Sequence, residues 1–219
     1  MIFLRIMLKN EMQERRLIMD CQVSEIRAVI EANDGIASLE QLQKAGISRM
    51  MVYAGLINGI ISKESHGNYS MADNQPDEFR IIQSRSSRVV FSHATSLYLQ
   101  GLMDTVPVLL DITVPQGDNV SKIKRDHDNT RFHYCKKALW ELGLTQIVTP
   151  RGFSVNAYDP ERCICDMIRD KKNIETQIYA QALRRYFSRQ CNSQKILDYS
   201  AQLKVEGKVR TYMEVLQPF

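Results

Sequence analysis

Between residues 23 and 71 the apolar positions follow a helical period three times and then shorten into extended runs. Val23, Ile26, Val29 and Ile30 fall on one face of a helix. Asn33-Asp34-Gly35 ends that helix, since glycine suits the left-handed turn at a helix C-terminus. Ser38 predicts the cap of a second helix, with Gln41 completing a capping box, Leu39 and Leu42 inward, and Gly46 as its stop. Ser48 caps a third helix that runs to about Asn58, with Val52 and Leu56 on its core face. Residues 60–63 and 68–71 read as two short strands joined by Glu64-Ser65-His66-Gly67. Three helices followed by a two-stranded hairpin match the winged helix-turn-helix plan.

The polar stretch 72–78 breaks the pattern and marks a domain boundary. Beyond it, strands are expected at 88–91, 108–114, 130–135, 145–149 and 153–158, and helices at 93–102, 136–142 and 159–171. After residue 174 the spacing is helical throughout, as in Ile178, Ala182 and Tyr186, then Ile196, Ser200 and Leu203. The predicted fold class is α+β: an N-terminal winged helix-turn-helix (19–72), then a mixed α+β domain with a helical C-terminal tail (77–219). Met12 and Met19 suggest that residues 1–18 form an extension. Its apolar opening is interrupted by Arg5 and followed by Glu11, Glu14, Arg15 and Arg16, too short and broken for a membrane span or export signal. The expected location is the cytoplasm.

Composition adds little to this picture. With 219 residues, 44% hydrophobic and 25% charged, the chain has the make-up of a soluble globular protein, and its net charge of +4 is only mildly basic. Cys21, Cys135, Cys163, Cys165 and Cys191 are odd in number and scattered, which argues against a disulfide framework. Cys163 and Cys165 are two apart on a predicted helix, so they point to different faces and do not clasp one ion. On the same helix Arg162 and Asp166 are one turn apart, either an intrahelical salt bridge or a surface acid–base pair.

If Val52 and Leu56 face the core, Arg49, Met50, Tyr53, Ala54 and Ile57 point outward. Arg49, Met50 and Tyr53 then lie where a recognition helix meets base edges, Ser48 where it meets a phosphate, and Lys63 and His66 at the wing. Yet residues 21–71 carry four Lys or Arg (Arg27, Lys44, Arg49, Lys63) against five acids (Glu25, Glu31, Asp34, Glu40, Glu64). A DNA module is normally basic, because phosphate neutralisation supplies much of its affinity. On local pattern, DNA binding and protein docking both stay open for this face.

Cations gather after residue 72, with 21 Lys plus Arg against 17 acids. Lys122, Lys124 and Arg125 in a polar loop, Lys136-Lys137, and Arg169-Lys171-Lys172 are candidates for a nucleic-acid or partner surface, or are simply solvated. His93 after Ser92 suits a cap or a core position, and His127 and His133 have no carboxylate at ligand spacing. Asp111 in the middle of a strand resembles a nuclease acid, but no Glu-x-Lys follows, and no Walker, dinucleotide or nucleophile-elbow motif is present. The expectation is no enzyme, no cofactor and no metal.

The stretch GISRMMVYAGLINGIISKESHGNYSM resembles the winged helix of the abortive-infection E antitoxins of type IV toxin–antitoxin pairs, through Gly46-Ile47-Ser48, Gly59 and Gly67-x-Tyr69. SHATSLYLQGLMDTVPVLLDITVPQG (92–117) and YDPERCICDMIRDKK (158–172) are similar to that family's second domain. The resemblance covers about residues 22–172. It implies an antitoxin that represses its own operon by binding inverted repeats in promoter DNA. It also implies that the chain counters a nucleotidyltransferase toxin without forming a stable complex with it. The alternatives are a stand-alone winged-helix regulator or protein-interaction module and, on Asp111 alone, a metal-dependent nuclease.

Overall fold

The computed structural model describes residues 23–65, 67–73, 77–189 and 191–216. The expected extension over 1–18, and His66, lie outside the described residues. The architecture is mixed α+β with two separate sheets. The chain divides into two compact units, Met1–Ile81 and Ile82–Phe219.

In the first unit helix α1 covers 23–32. Then come β1 (Ala37–Ser38), α2 (Leu39–Lys44), α3 (Arg49–Ile57), β2 (Ile61–Ser65) and β3 (Asn68–Met71). Both serine caps form as expected. Ser38 Oγ accepts from Gln41 N at 3.1 Å while Gln41 Oε1 accepts from Ser38 N at 2.7 Å, and Ser48 Oγ accepts from Met51 N at 3.2 Å. The strand β1 was not foreseen. It pairs with β3 to give a three-stranded antiparallel sheet in the order β1-β3-β2, and two residues are too few to leave a periodic signal. Ile26, Ile30, Leu42, Ile47, Val52 and Ile61 close the core. Gly55 lets α3 settle on β2, since a Cβ there would stand 3.2 Å from Ile61 Cγ1.

Helix α4 (Glu78–Ser84) begins at the end of the expected linker, and the boundary between the units falls inside it. Asp77 nucleates this helix by accepting from the amides of Phe79 and Arg80 at 2.9 and 3.3 Å.

The second unit holds β4 (Val90–Phe91), α5 (His93–Leu99), β5 (Leu110–Pro115), α6 (Ser121–Asp126), β6 (Thr130–Cys135), α7 (Lys137–Trp140), β7 (Leu144–Val148) and β8 (Ser154–Tyr158). It ends with α8 (Pro160–Arg169), a 3-10 turn (Lys171–Asn173), α9 (Thr176–Arg189), α10 (Ser193–Gln202) and α11 (Glu206–Leu216). Its sheet has the order β6-β5-β4-β8-β7, with β5/β6 and β4/β8 parallel and β4/β5 and β7/β8 antiparallel. Two expectations need correction. Residues 121–125 are not a loop but most of α6, whose Ile123 is buried and anchors the turn. The strand expected at 108–114 starts only at Leu110, and Val108 and Leu109 are exposed. No helix among the described residues is long and apolar enough to cross a membrane.

Helix α8 is the axis of this unit. Every residue from Glu161 to Ile168 is buried. Burial pushes the Cys163 thiol far up and that of Cys165 up to about 12, so both are inert packing groups. Arg162 is fully buried: Nε donates to Asp166 at 2.8 Å, Nη1 donates to the carbonyls of Leu139 (2.6 Å) and Leu142 (2.9 Å), and the guanidinium lies 4.4 Å from the Tyr158 ring centre. The Arg162–Asp166 pair is therefore internal and not part of a surface. Removing one partner of such a pair strands a charge, so Arg162→Ala should lose about 3–5 kcal/mol of unfolding free energy. Urea denaturation checks this; a loss below about 1 kcal/mol would contradict the role assigned to Arg162.

Candidate functional site

Three groups of residues bear on function. The first is the outward face of α3. Ser48 and Arg49 are exposed. Met50, Tyr53 and Ile57 are 77%, 63% and 67% exposed, far above the usual value for large apolar side chains within a helix that packs well on its other face. Val52 and Gly55 face the core, and the N-terminal turn of α3 is free of acids. Lys63, on β2, is exposed. Among the described residues neither Arg49 nor Lys63 forms an ion pair. One helix end thus offers a guanidinium, a phenol, a thioether and a serine hydroxyl whose hydrogen is not used by the cap.

The second group is the set of cations in the second unit, and the structure does not unite them. Lys122, Lys124 and Arg125 project from α6, where Arg125 binds Asp126 at 3.0 Å. Lys124 Nζ reaches the rings of Phe132 (5.4 Å) and Tyr134 (5.8 Å) on β6, the strand that runs directly into exposed Lys136 and Lys137. Lys136 and Lys137 thus follow, in sequence, the strand that Lys124 covers. Arg169, Lys171 and Lys172 lie elsewhere. Arg131, near the start of β6, donates to the Asn173 carbonyl, which places the 171–173 turn at that end of the strand. Arg131 and Phe132 are neighbours on β6 and point to opposite faces of the sheet, so the turn that Arg131 holds and the lysine over Phe132 lie on opposite sides of it. Arg169 is also engaged, with Asp166 at 2.7 Å.

The third group was not legible in the sequence. Parallel pairing of β5 with β6 sets Asp111 opposite Arg131 and Thr113 opposite His133. Asp111 Oδ1 accepts from Arg131 Nε at 2.6 Å and stands 2.8 Å from His133 Nε2, while its Oδ2 is buried without a hydrogen bond. The His133 ring stacks on His93, with centroids 3.8 Å apart and planes at 19°. Asp170, at the end of α8, places Oδ2 3.3 Å from His93 Nε2 and 3.4 Å from His133 Nδ1. His93 begins α5 at a left-handed φ of 48° and is buried, a strained placement for a side chain with a Cβ. Ser92, the residue before α5, makes no cap hydrogen bond with its side chain. Its Oγ is taken up inside the network, 3.0 Å from His93 Nδ1 and accepting from Thr113 Oγ1 at 2.9 Å. The two histidines and two acids lie 18 to 77 positions apart, so only strand register and packing bring them together. Asp111, weighed above as a nuclease acid, is instead clamped by Arg131 and His133.

Electrostatics follow from this geometry. Burial alone would raise the Asp111 pKa, but hydrogen bonds from His133 and Arg131 outweigh it and hold the carboxyl low. Burial would lower that of His133, and its contacts with Asp111 and Asp170 outweigh that and raise it. The His133 and His93 rings keep the Asp170 carboxyl far below the usual carboxylate range.

No family model matches the chain, and no curated protein does. Among solved structures it is similar to the crystal structure of RV2827C protein from Mycobacterium tuberculosis, with a TM-score of 0.52 and 11% sequence identity. The match covers 91% of this chain and 82% of that one. At that identity the likeness concerns the fold.

Asp111→Asn keeps the shape of the side chain and removes the charge that Arg131 and His133 share. The expected cost is about 3 kcal/mol, at the lower end for breaking a buried pair because Arg131 keeps some solvent. The His133 pKa is raised in the folded protein, so its share of stability is complete below the ordinary imidazole value of 6.5 and fades as pH rises through the folded value. The Asp111 pKa is lowered, so its share is present above the ordinary carboxylate value of 3.8. The Asp111→Asn penalty should therefore be largest between these two values and shrink in alkali. Urea melts of chelator-treated protein from this range into alkali check the prediction, and a penalty that grows above the ordinary imidazole value would refute it.

Proposed function

We propose that the chain is an antitoxin-type regulator of the abortive-infection E kind, acting in two parts. The first unit is a winged helix-turn-helix that reads promoter DNA, and the second counters a nucleotidyltransferase toxin without a lasting complex. The observation that carries the DNA part is the outward face of α3, with Arg49, Met50 and Tyr53 exposed at the N-terminal turns of a helix that Ser48 caps. Side chains at that place on a second helix enter the major groove, where arginine reads guanine and apolar tips meet the thymine methyl. Strands β2 and β3 are the wing, with Lys63 beside the backbone. Inverted repeats suit two copies of such a unit.

One observation favours a second reading. Met50, Tyr53 and Ile57 make this face largely apolar, and the unit is not basic, so a protein partner is the competing occupant. Promoter binding by the full chain separates the two. Arg49→Ala and Tyr53→Ala should each weaken binding to the operator by about 1–3 kcal/mol, roughly 5- to 150-fold, with the fold intact by circular dichroism. Binding to unrelated DNA should change much less. Wild-type operator affinity in both variants would leave α3 without a reading role.

For the second unit, support comes from the exposed cations of α6, Lys122, Lys124 and Arg125. Replacing Lys122, Lys124 and Arg125 together with alanine should cost little stability, because exposed charges contribute about 0–1 kcal/mol. Rescue of cells from the toxin should fall while operator binding persists. Full rescue by the folded triple variant would make this side of α6 a solvated surface only.

A further inference from the structure

The reading above uses neither His93, His133 nor Asp170. We propose that these three residues bind one divalent transition ion of the zinc class, through His93 Nε2, His133 Nδ1 and Asp170 Oδ2. These ligand atoms all lie within 4.8 Å of one another. The two separations from Asp170, 3.3 and 3.4 Å, are those between neighbouring ligands of a tetrahedral ion with bonds of about 2.0–2.1 Å.

The remaining ring nitrogens are held as such a site requires. His133 Nε2 stands 2.8 Å from the buried Asp111 carboxylate, and His93 Nδ1 stands 3.0 Å from Ser92 Oγ. A ligating histidine gives its other N–H to a carboxylate or a neutral acceptor, which fixes the tautomer and frees the lone pair for the metal. With hydrogens on His133 Nε2 and His93 Nδ1, the two free lone pairs are those nearest Asp170. His93 Nε2 is buried, and its polar neighbour is the Asp170 carboxylate at 3.3 Å, the group that would share the ion with it.

The stacked rings have to fan apart by rotation about χ2 so that both lone pairs meet the ion in their own planes. The ion then replaces the proton between His133 and Asp170. Asp170, with about a quarter of its side chain exposed, gives the route from solvent. Two imidazoles and one carboxylate suit zinc, cobalt or nickel and not calcium or magnesium, which take oxygen ligands. Three protein ligands leave one position for water. Because the ligands come from the start of α5, from β6 and from the end of α8, the ion ties three elements together.

The test uses the full chain stripped with a chelator and titrated with zinc chloride by calorimetry. One equivalent should bind saturably, and excess magnesium should not displace it. Cobalt chloride should give the strong visible absorption of a four-coordinate ion. Asp170→Asn should weaken zinc binding about tenfold or more, and Cys191→Ser, which removes a partly accessible thiol, should leave it unchanged. Circular dichroism establishes that both variants fold, and the cobalt spectrum of the wild type tests the site without any variant. No saturable zinc or cobalt uptake, a spectrum of a six-coordinate aquo-like ion, equal affinity in folded Asp170→Asn, or loss only in Cys191→Ser would overturn the site. Operator binding and toxin rescue do not enter this test.

Discussion

A guanidinium cut off from water has to find its acceptors within the protein, and Arg162 finds them on several elements at once. Its side chain joins Asp166 on its own helix to the carbonyls of Leu139 and Leu142, on and just after α7, and lies against Tyr158 at the end of β8. The neighbouring turn is shaped around it: Gly143 has a φ of +77°, and a Cβ there would stand 2.7 Å from Arg162 Cβ. Asp159, which caps α8 through the Arg162 amide, also receives Lys195 at 3.0 Å and the Tyr199 hydroxyl at 3.2 Å from α10. Charge thus fixes the orientation of a helix whose apolar contacts alone would tolerate several.

The end of that helix sets the histidine network. Asp170 stands one residue past α8, and the position of α8 relative to the sheet decides whether the carboxylate meets the two rings. The period of two along β6 puts Arg131 and His133 on one face, and pairing with β5 brings Asp111 to both. A one-residue slip of β6 would send both side chains to the other face and leave Asp111 buried with no counter-charge. Register, burial and charge are coupled here, which explains how a strand as apolar as β5 tolerates an acid as its second residue.

The two units use side chains differently. In the first, most polar groups serve as caps or lie on the surface, and the core cluster is apolar with Ser70 buried beside it. What it offers a partner is an exposed helix face. In the second, ionised groups run through the interior, and many of the cations counted in the sequence are paired with acids: Arg85 with Asp126, Arg88 with Asp118, Arg185 with Asp104. The count of cations along the chain therefore overstates the basic surface. Among the described residues Lys122, Lys124, Lys136 and Lys137 are exposed and form no ion pair, whereas Arg125 is held by Asp126.

By itself the sequence determined the elements whose signals are local. Ser38-x-x-Gln41 and Ser48 placed two helix starts, apolar spacing placed Val52 inside and Tyr53 outside, and runs such as TRFHYC and FSVNAY placed strands. It missed elements whose signals are short or masked by polarity: the two residues of β1, the helix α4 behind Asp77, and the helix made by SKIKR, where one buried isoleucine does the work of a face. That Arg49, Met50 and Tyr53 face outward from α3 was visible from residues alone. The His93–His133–Asp111–Asp170 group was not, because its members lie on four elements and no spacing along the chain relates them. Strand register and the packing of α8 decided that group, since they bring together charges that only a folded interior, with water excluded, obliges to pair.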